Sequence, residues 1–449
     1  MIIPRQTTNY TCGPVSLLAT ATLSGQPLSI SETELARQLG AAPGANTDNA
    51  SMAEFAAKHL SVASTGAENW SGGLAIANIR NPDSGADQYV VLLSETDGVI
   101  TYYDPYGKVA SIPRKDLQWR TSDDQSVNWS LNLAASAPNT RDIVPARHTF
   151  ILADDKSLLK PQFDTSLVIE TETLNRGHSC TWHLVTGIAT EGDQLFLDGV
   201  PVWDGDIVWM RPDPVNTAQY YEMLRHLLGK RGVFLNTPEA ILNYHDKHMA
   251  GEFRKDRFTV SSEEGIATIW RTMHWRGYQK IVIKAPSRFG GKNIAFAASE
   301  SEAMEHARHL LPDSGYVIVE PFVPEPGRPH VDTRVIVCNG EVVGIVDRVA
   351  PKSGALCNMH QGADARANSG LSKTQQKLLD KAIEKIVSLD IFLVGMDFLE
   401  DEITEINVSC PSLAKQINQV MGIKSEKIFV DMANQVADEK MKRLREGTS

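Results

Sequence analysis

From His148 onward, short apolar strand-like runs alternate with helix-like stretches, and this alternation restricts the chain more than any other feature. HTFILADD, TSLVIETETLNRG, TWHLVTGIA, DQLFLDGVPV, DIVWM, TAQYYEMLRHLLGKRG and VFLNT succeed one another in that manner. Strands separated by helices predict a small, mainly parallel sheet, because parallel neighbours need a crossover between them. The pattern ahead of residue 120 is different. TCGPVSLLATATLSG and MAEFAAKHL read as helices, whereas QYVVLLSETDGVITYYDPYGKVASIP reads as antiparallel strands turned at Thr96–Asp97–Gly98 and Asp104–Pro105–Tyr106–Gly107. Helices first and strands second predict an α+β domain.

A chain of 449 residues exceeds what one hydrophobic core usually supports, so a multidomain protein combining α+β and α/β parts is expected. The composition turns to Ser, Asn, Asp, Ala and Pro after Thr121, which sets expected boundaries at residues 1–120, a linker over 121–147, a second domain over 148–240 and a third over 241–449. The third holds two α+β lobes: YQKIVIKAPSRFGGKNIAFAAS with SEAMEHARHLL and YVIVEPFV, then TRVIVCNGEVVGIVDRVAP, a helix at TQQKLLDKAIEKIVSLD, and FLVGMDFLEDEITEINVSCPSL. Asn339–Gly340 between two β-rich runs is a hairpin signal.

With a net charge of −11, the bulk surface is unsuited to holding nucleic acid. The five cysteines are scattered without a CxxC pair, so neither a disulfide framework nor a zinc site is expected. A start without a signal-peptide core, and no apolar run near the ~20 residues a membrane helix needs, predict a cytoplasmic protein without membrane association.

Three oxygen-bearing side chains cluster in GMDFLEDEITEINVS. Glu405 and Asn407 are two apart and share a strand face, and the Glu400–Asp401–Glu402 turn brings Asp397 back beside them. Such a set suits Mg²⁺, although an acidic hairpin can equally be a solvated face. Lys284 ends the apolar strand KIVIK, and the following SRFGGK loop offers Gly290, Gly291 and Lys292 for an anion, unless Gly–Gly is a plain turn. Lys247 is a further cation or a merely solvated lysine. Arg334 and Arg348, on opposite arms of the Asn339–Gly340 hairpin, have the fork geometry to clamp phosphate or carboxylate.

In their order along the chain, DIVWMRPDPVN, VFLNTPEAILNYHDKHMAGEF, IVIKAPSRFGGKNI, YVIVEPFV, TRVIVCNGEVVG and GMDFLEDEITEINVSCPSLAKQI resemble bacterial glutathione synthetase over about residues 148–440. The resemblance implies an ATP-grasp ligase: a preATP-grasp domain over 148–240, then two ATP-grasp lobes that hold ATP with Mg²⁺, two ions in all. Lys247 and Lys284 match the family's phosphate-binding lysines, and Glu320 through Val323 match the segment that contacts adenine. Asp397, Glu405 and Asn407 match the magnesium ligands, Arg334 and Arg348 the arginines facing phosphate and acyl substrate. Asn358 falls near the family's mobile Gly-rich substrate loop. Here that loop reads KSGALCNMHQGADA, where the family carries Arg–Gly–Asn followed by glycines, so glutathione is not assumed as the product. The implied chemistry joins a carboxylate and an amine of amino acids or short peptides through an acyl phosphate, in a protein that commonly forms homo-oligomers.

Gln6 sits six residues before Cys12 in QTTNYTCGPVSLL, and Cys12 opens a helix whose N-terminus is expected to lower the thiol pKa. A buried structural cysteine is the other reading. The layout resembles double-glycine leader peptidases of the papain-like clan, with Gln6 as an oxyanion-hole donor and Asp104 in the later DP turn. Gln88 stands where that family has its general-base histidine, and an amide cannot shuttle a proton near neutral pH. His59 has no placement that makes it a replacement. A degenerate peptidase fold that binds or gates a peptide-like substrate follows. Two alternatives stay open: a bifunctional ligase–amidase or acyl transfer through a Cys12 thioester, and a non-catalytic regulator that binds ATP and peptide.

Overall fold

The computed structural model describes residues 2–45, 47–82, 85–120, 128–135, 144–153, 164–212, 217–244, 247, 249–286, 294–322, 331–351, 357 and 363–447. The chain forms two compact units, Met1–His148 with Gly187–Val202, and Thr149–Thr186 with Trp203–Ser449.

In the first unit the helix Cys12–Leu23 is buried at ten of its twelve positions, as expected of a helix that is apolar on every face. It packs with the helices Glu32–Gln38 and Asn49–His59 onto an antiparallel sheet. That sheet runs Val62–Thr65, Ser130–Leu133, Ala75–Arg80, Asp87–Thr96, Val99–Asp104, Lys108–Pro113, with Gln118–Trp119 also pairing Ala75–Arg80. Along Asp87–Thr96, Tyr89, Val91 and Leu93 join the helix-side core while Val90 and Leu92 join a second core on the opposite face. The period-two alternation thus builds two apolar layers, and the α+β expectation describes this unit. The turn at Asp97–Gly98 has positive φ at both residues, 51° and 74°, the conformation that tight hairpins require.

Two expectations need correction. Inside the expected linker 121–147, Ser130–Leu133 is a fully buried strand between two others, and Val144–Pro145 pairs in parallel with Ile2–Ile3. The polar composition misled because Asn132 is buried with its amide donating to Ser64 Oγ at 3.0 Å and to the Gly66 carbonyl at 3.1 Å, which removes the cost of hiding it. The strands Ile188–Glu191, Gln194–Leu197 and Val200–Val202, expected within the 148–240 domain, form a small antiparallel sheet in the first unit. Arg5 anchors it by donating to the Pro201 carbonyl at 2.7 Å.

The second unit contains three sheets. Ser179–Leu184, His148–Ala153, Ile207–Met210 and Val233–Leu235 form the first, with parallel pairing from Thr149↔Ile207 and Ile207↔Val233, as the strand–helix alternation predicts. Phe258–Val260, Val317–Pro321, Ile281–Lys284 and Ile294–Ala297 form an antiparallel four-stranded sheet covered by the helices Glu263–Trp275 and Glu300–Ser314. Both helices start at serines, Ser262 and Ser299, that accept from backbone N–H groups of the first turn.

Asp364–Ala367, Glu341–Val349, Val331–Cys338, Leu393–Leu399 and Glu402–Asn407 form the third sheet, also antiparallel. Asn339 and Gly340 turn its central hairpin with positive φ. The helix Lys373–Ser388 covers one face, starting in a capping box between Ser372 and Gln375. The helix Ser425–Glu446 buries Phe429, Val430, Ala433 and Ala437 among Trp209, Val233 and Leu235 of the parallel sheet. Among the described residues, no helix is long and apolar enough to cross a membrane.

Candidate active site

Sheet register assembles the acidic set. Asp397 lies directly opposite Glu405, and Gly395 opposite Asn407. Cross-strand partners share a face, so the three oxygen donors line one side of the hairpin. On the other flank of the same strand, Arg334 is the register partner of Asp397. Its Nε and Nη2 donate to the two Asp397 oxygens at 2.5 and 2.6 Å. Arg348 donates in the same forked manner to Asp332 at 2.6 and 2.5 Å, and its Nη2 lies 2.8 Å from Asp397 Oδ2. The forks that were expected to face phosphate or acyl substrate therefore hold the chain's own carboxylates in this structure.

Burial raises the pKa of Asp397, but Arg334 and Arg348 more than offset it and hold the carboxyl below its ordinary range. Asp332 shifts the other way, pushed up by burial and by Asp397 against the pull of Arg348. Asp397 is consequently an anion at neutral pH with two buried guanidinium partners.

A second cluster centres on Glu320. Lys284 Nζ lies 2.7 Å from its Oε2, Arg254 Nη1 lies 2.5 Å from the same oxygen, and Arg257 Nη1 lies 2.5 Å from Oε1. Burial pushes Glu320 up, yet the three cations bring it down to about 2. Burial pushes the Lys284 ammonium down despite the attraction of Glu320. Arg254 Nε also lies 2.7 Å from Glu402 Oε2, without hydrogen-bond alignment, and Arg257 donates to the carbonyls of Lys247 and Thr404. Lys247 Nζ in turn lies 3.8 Å from Glu405 Oε1.

These links join Lys247, Lys284, Glu320 and Glu405 through Arg254 and Arg257, which reading of the sequence overlooked. Asp332 was overlooked as well, although its position two residues before Arg334 puts it on the same strand face. Asn236 was a third omission. Its amide donates to the carbonyls of Leu393 and Val408 at 2.8 and 2.6 Å and accepts from Phe392 and Leu393 N–H, both at 2.7 Å, locking the strand that carries Asp397. Gly290, Gly291, Lys292, Val323 and Asn358 lie outside the described residues.

The donor chemistry fits Mg²⁺: a carboxylate kept anionic, a second, partly exposed carboxylate in Glu405 and an amide oxygen in Asn407, all hard oxygens on one face. Asn407 Oδ1 accepts from Cys410 N–H at 3.2 Å. Among the described residues no group of three His, Cys, Asp or Glu stands poised to hold a metal ion. Asp397 Oδ2 is engaged by both Arg334 and Arg348, whereas among the described contacts Oδ1 accepts from Arg334 alone and keeps a lone pair for direct ligation.

In the first unit, Gln88 Nε2 donates to Asp104 Oδ1 at 2.8 Å, Asn81 donates to Asp104 Oδ2 at 3.0 Å and also to Gln88 Oε1, and the Tyr106 N–H completes the carboxylate at 2.9 Å. Contrary to expectation, the Cys12 thiol is pushed up: burial outweighs the N–H groups of Tyr89 and Gly13 directed at sulfur, and Asp104 adds to the rise. Gln6 Nε2 donates to the Thr8 carbonyl at 2.7 Å, while its buried Oε1 has no hydrogen-bond partner among the described residues. His59 is exposed and packs against Phe55.

Residues 260–422 match the family model of the prokaryotic glutathione synthetase ATP-grasp domain. The glutathione synthetase of Mesorhizobium japonicum is 23% identical over 297 residues, covering 60% of this chain and 92% of that protein. That of Prochlorococcus marinus is 23% identical over 226 residues, covering 49% and 71%. Among solved structures, a D-cycloserine synthetase is similar with a TM-score of 0.49 at 13% identity, over 64% of this chain and 99% of that one. The chain thus contains an ATP-grasp domain of the glutathione synthetase type and is an ATP-dependent C–N ligase.

Proposed function

We propose that this protein joins the carboxylate of one amino acid or short peptide to the amine of another through an acyl phosphate, and that its first unit binds or gates a peptide-like substrate. The observation that carries the ligase reading is the buried array in which Asp397 meets Arg334 and Arg348 beside Glu405 and Asn407 within the matched domain. In this reading the donor carboxylate oxygen takes the γ-phosphoryl group and the amine nitrogen then displaces phosphate from the acyl carbon.

Asp397, Glu405 and Asn407 would hold Mg²⁺, two ions in our reading; bound ATP and Mg²⁺ supply the transferable phosphoryl group and neutralise its charge. Lys247 and Lys284 act as phosphate cations and Glu320 borders the adenine. Arg334 and Arg348 orient the phosphoryl and acyl groups, with Asp332 holding Arg348 in its rotamer. Positioning and charge neutralisation carry the catalysis.

For the first unit, a degenerate papain-like fold is supported by the amide of Gln88 bridging Asn81 and Asp104 where an imidazole would be required. The raised thiol pKa of Cys12 opposes a thiolate nucleophile, so binding is favoured over amide hydrolysis or thioester transfer.

The test is Mg²⁺-dependent ADP release across panels of amino acids and short peptides, with product masses. ADP formed only when carboxylate and amine are both present, with a product one water lighter than their sum, is the expected result. Tight ATP binding without turnover on any pair would favour the regulator instead.

A further inference from the structure

We infer that Arg254 and Arg257 are positioning residues of the nucleotide-phosphate site, dividing the Glu320 carboxylate so that Lys284 stays available to phosphate and fixing Lys247 relative to Lys284. This rests on the ligase reading above and extends it to two residues outside the matched domain.

Sheet register puts Glu320 opposite Val282 and Lys284 one diagonal away on the same face, within reach of a long side chain. Left alone, a fully buried carboxylate beside a buried lysine would form a closed pair, and an ammonium consumed in that way has little left for a ligand. Here Glu320 Oε1 is taken by Arg257 and Oε2 is shared between Arg254 and Lys284. Three cations meet one buried carboxylate. Glu402, the further carboxylate near Arg254, is one-third exposed, and a cluster in which three cations share one buried carboxylate suits an incoming polyphosphate.

The arginines also set geometry. Arg257 holds Glu320 of one antiparallel sheet with one nitrogen while contacting the carbonyls of Lys247 and of Thr404, on the acidic hairpin of the other sheet. Arg254 spans Glu320 and Glu402 in the same way. Both side chains are nearly fully buried. A solvated charge run would give its arginines neither this burial nor two sheets to bridge.

The experiment measures Mg²⁺–ATP affinity of the full chain by calorimetry for the wild type, Arg254→Ala, Lys284→Ala and the double variant, with thermal unfolding alongside. Arg254→Ala is expected to weaken ATP binding about tenfold, the scale of one charge-assisted hydrogen bond, and to add little once Lys284 is gone, because it acts through that lysine. Effects that simply add in the double variant would overturn the positioning role. Should Arg254→Ala fail to fold, Arg257→Lys serves: it keeps the charge without the fork and should bind ATP several-fold more weakly at unchanged melting temperature, whereas wild-type affinity would sink the inference. A wild type that does not bind ATP would instead strike the ligase reading itself.

Discussion

Asp104 and Asp397 are the same residue type, both buried, and their environments drive them in opposite directions. Asp104 accepts from amides and a backbone N–H, Gln88, Asn81 and Tyr106, and burial wins, so its pKa rises. Asp397 faces Arg334 and Arg348, and the guanidinium charges win, so its pKa falls. Burial pushes both carboxyls up; it prevails at Asp104 and is overcome at Asp397 because the partners there are charged. The first unit is accordingly built around a largely neutral polar cluster, and burial, with a smaller contribution from Asp104, leaves the Cys12 thiol protonated. The second is built around opposed charges.

The largest effect that could break this contrast lies at Asp397. Asp397→Ala leaves Arg334 and Arg348 short of their shared buried partner, so a loss of about 3–5 kcal/mol is expected in urea unfolding, together with loss of ADP release. Unchanged stability would mean that the arginines find other partners and that the array is not a rigid unit.

Next comes acid sensitivity. Glu320 is lowered from 4.5 to about 2, so its contribution is fully present above about pH 4.5 and is lost as pH falls toward 2. The folded state binds this proton less readily than the unfolded chain, and stability therefore declines on acidification, by up to about 3 kcal/mol from this one group. Glu320→Gln should flatten that part of the pH–stability curve. A curve of unaltered slope would show that the cations do not lower Glu320 in solution.

The smallest effect sharpens the other side of the comparison. Native Cys12 should alkylate with iodoacetamide at pH 7.5 more slowly than an exposed cysteine, because the thiol is half-buried and its pKa raised. Gln88→His brings an ionisable ring beside Asp104 and should speed alkylation about tenfold, read by mass spectrometry of the modified peptide. Rapid alkylation of the unaltered protein would contradict a protonated thiol.

Period-two patterning put Asp397, Glu405 and Asn407 on one face of a hairpin, the Asn-Gly dipeptide turned the chain at Asn339–Gly340, and strand–helix alternation marked the parallel sheet. These depend on neighbours within a few residues, where backbone geometry admits few choices. The strand at Ser130–Leu133, the return of residues 187–202 to the first unit and the arginine bridges escaped for the opposite reason. Each depends on partners tens to hundreds of positions away that cancel the cost of burying a polar or charged group. Composition alone makes Ser130 and Asn132 look like linker residues, and nothing in it marks Arg254 or Arg257. The ends of the chain's hydrogen bonds and ion pairs, and therefore the protonation of Cys12, Asp104, Glu320 and Asp397, were decided only once the fold chose which groups to desolvate together.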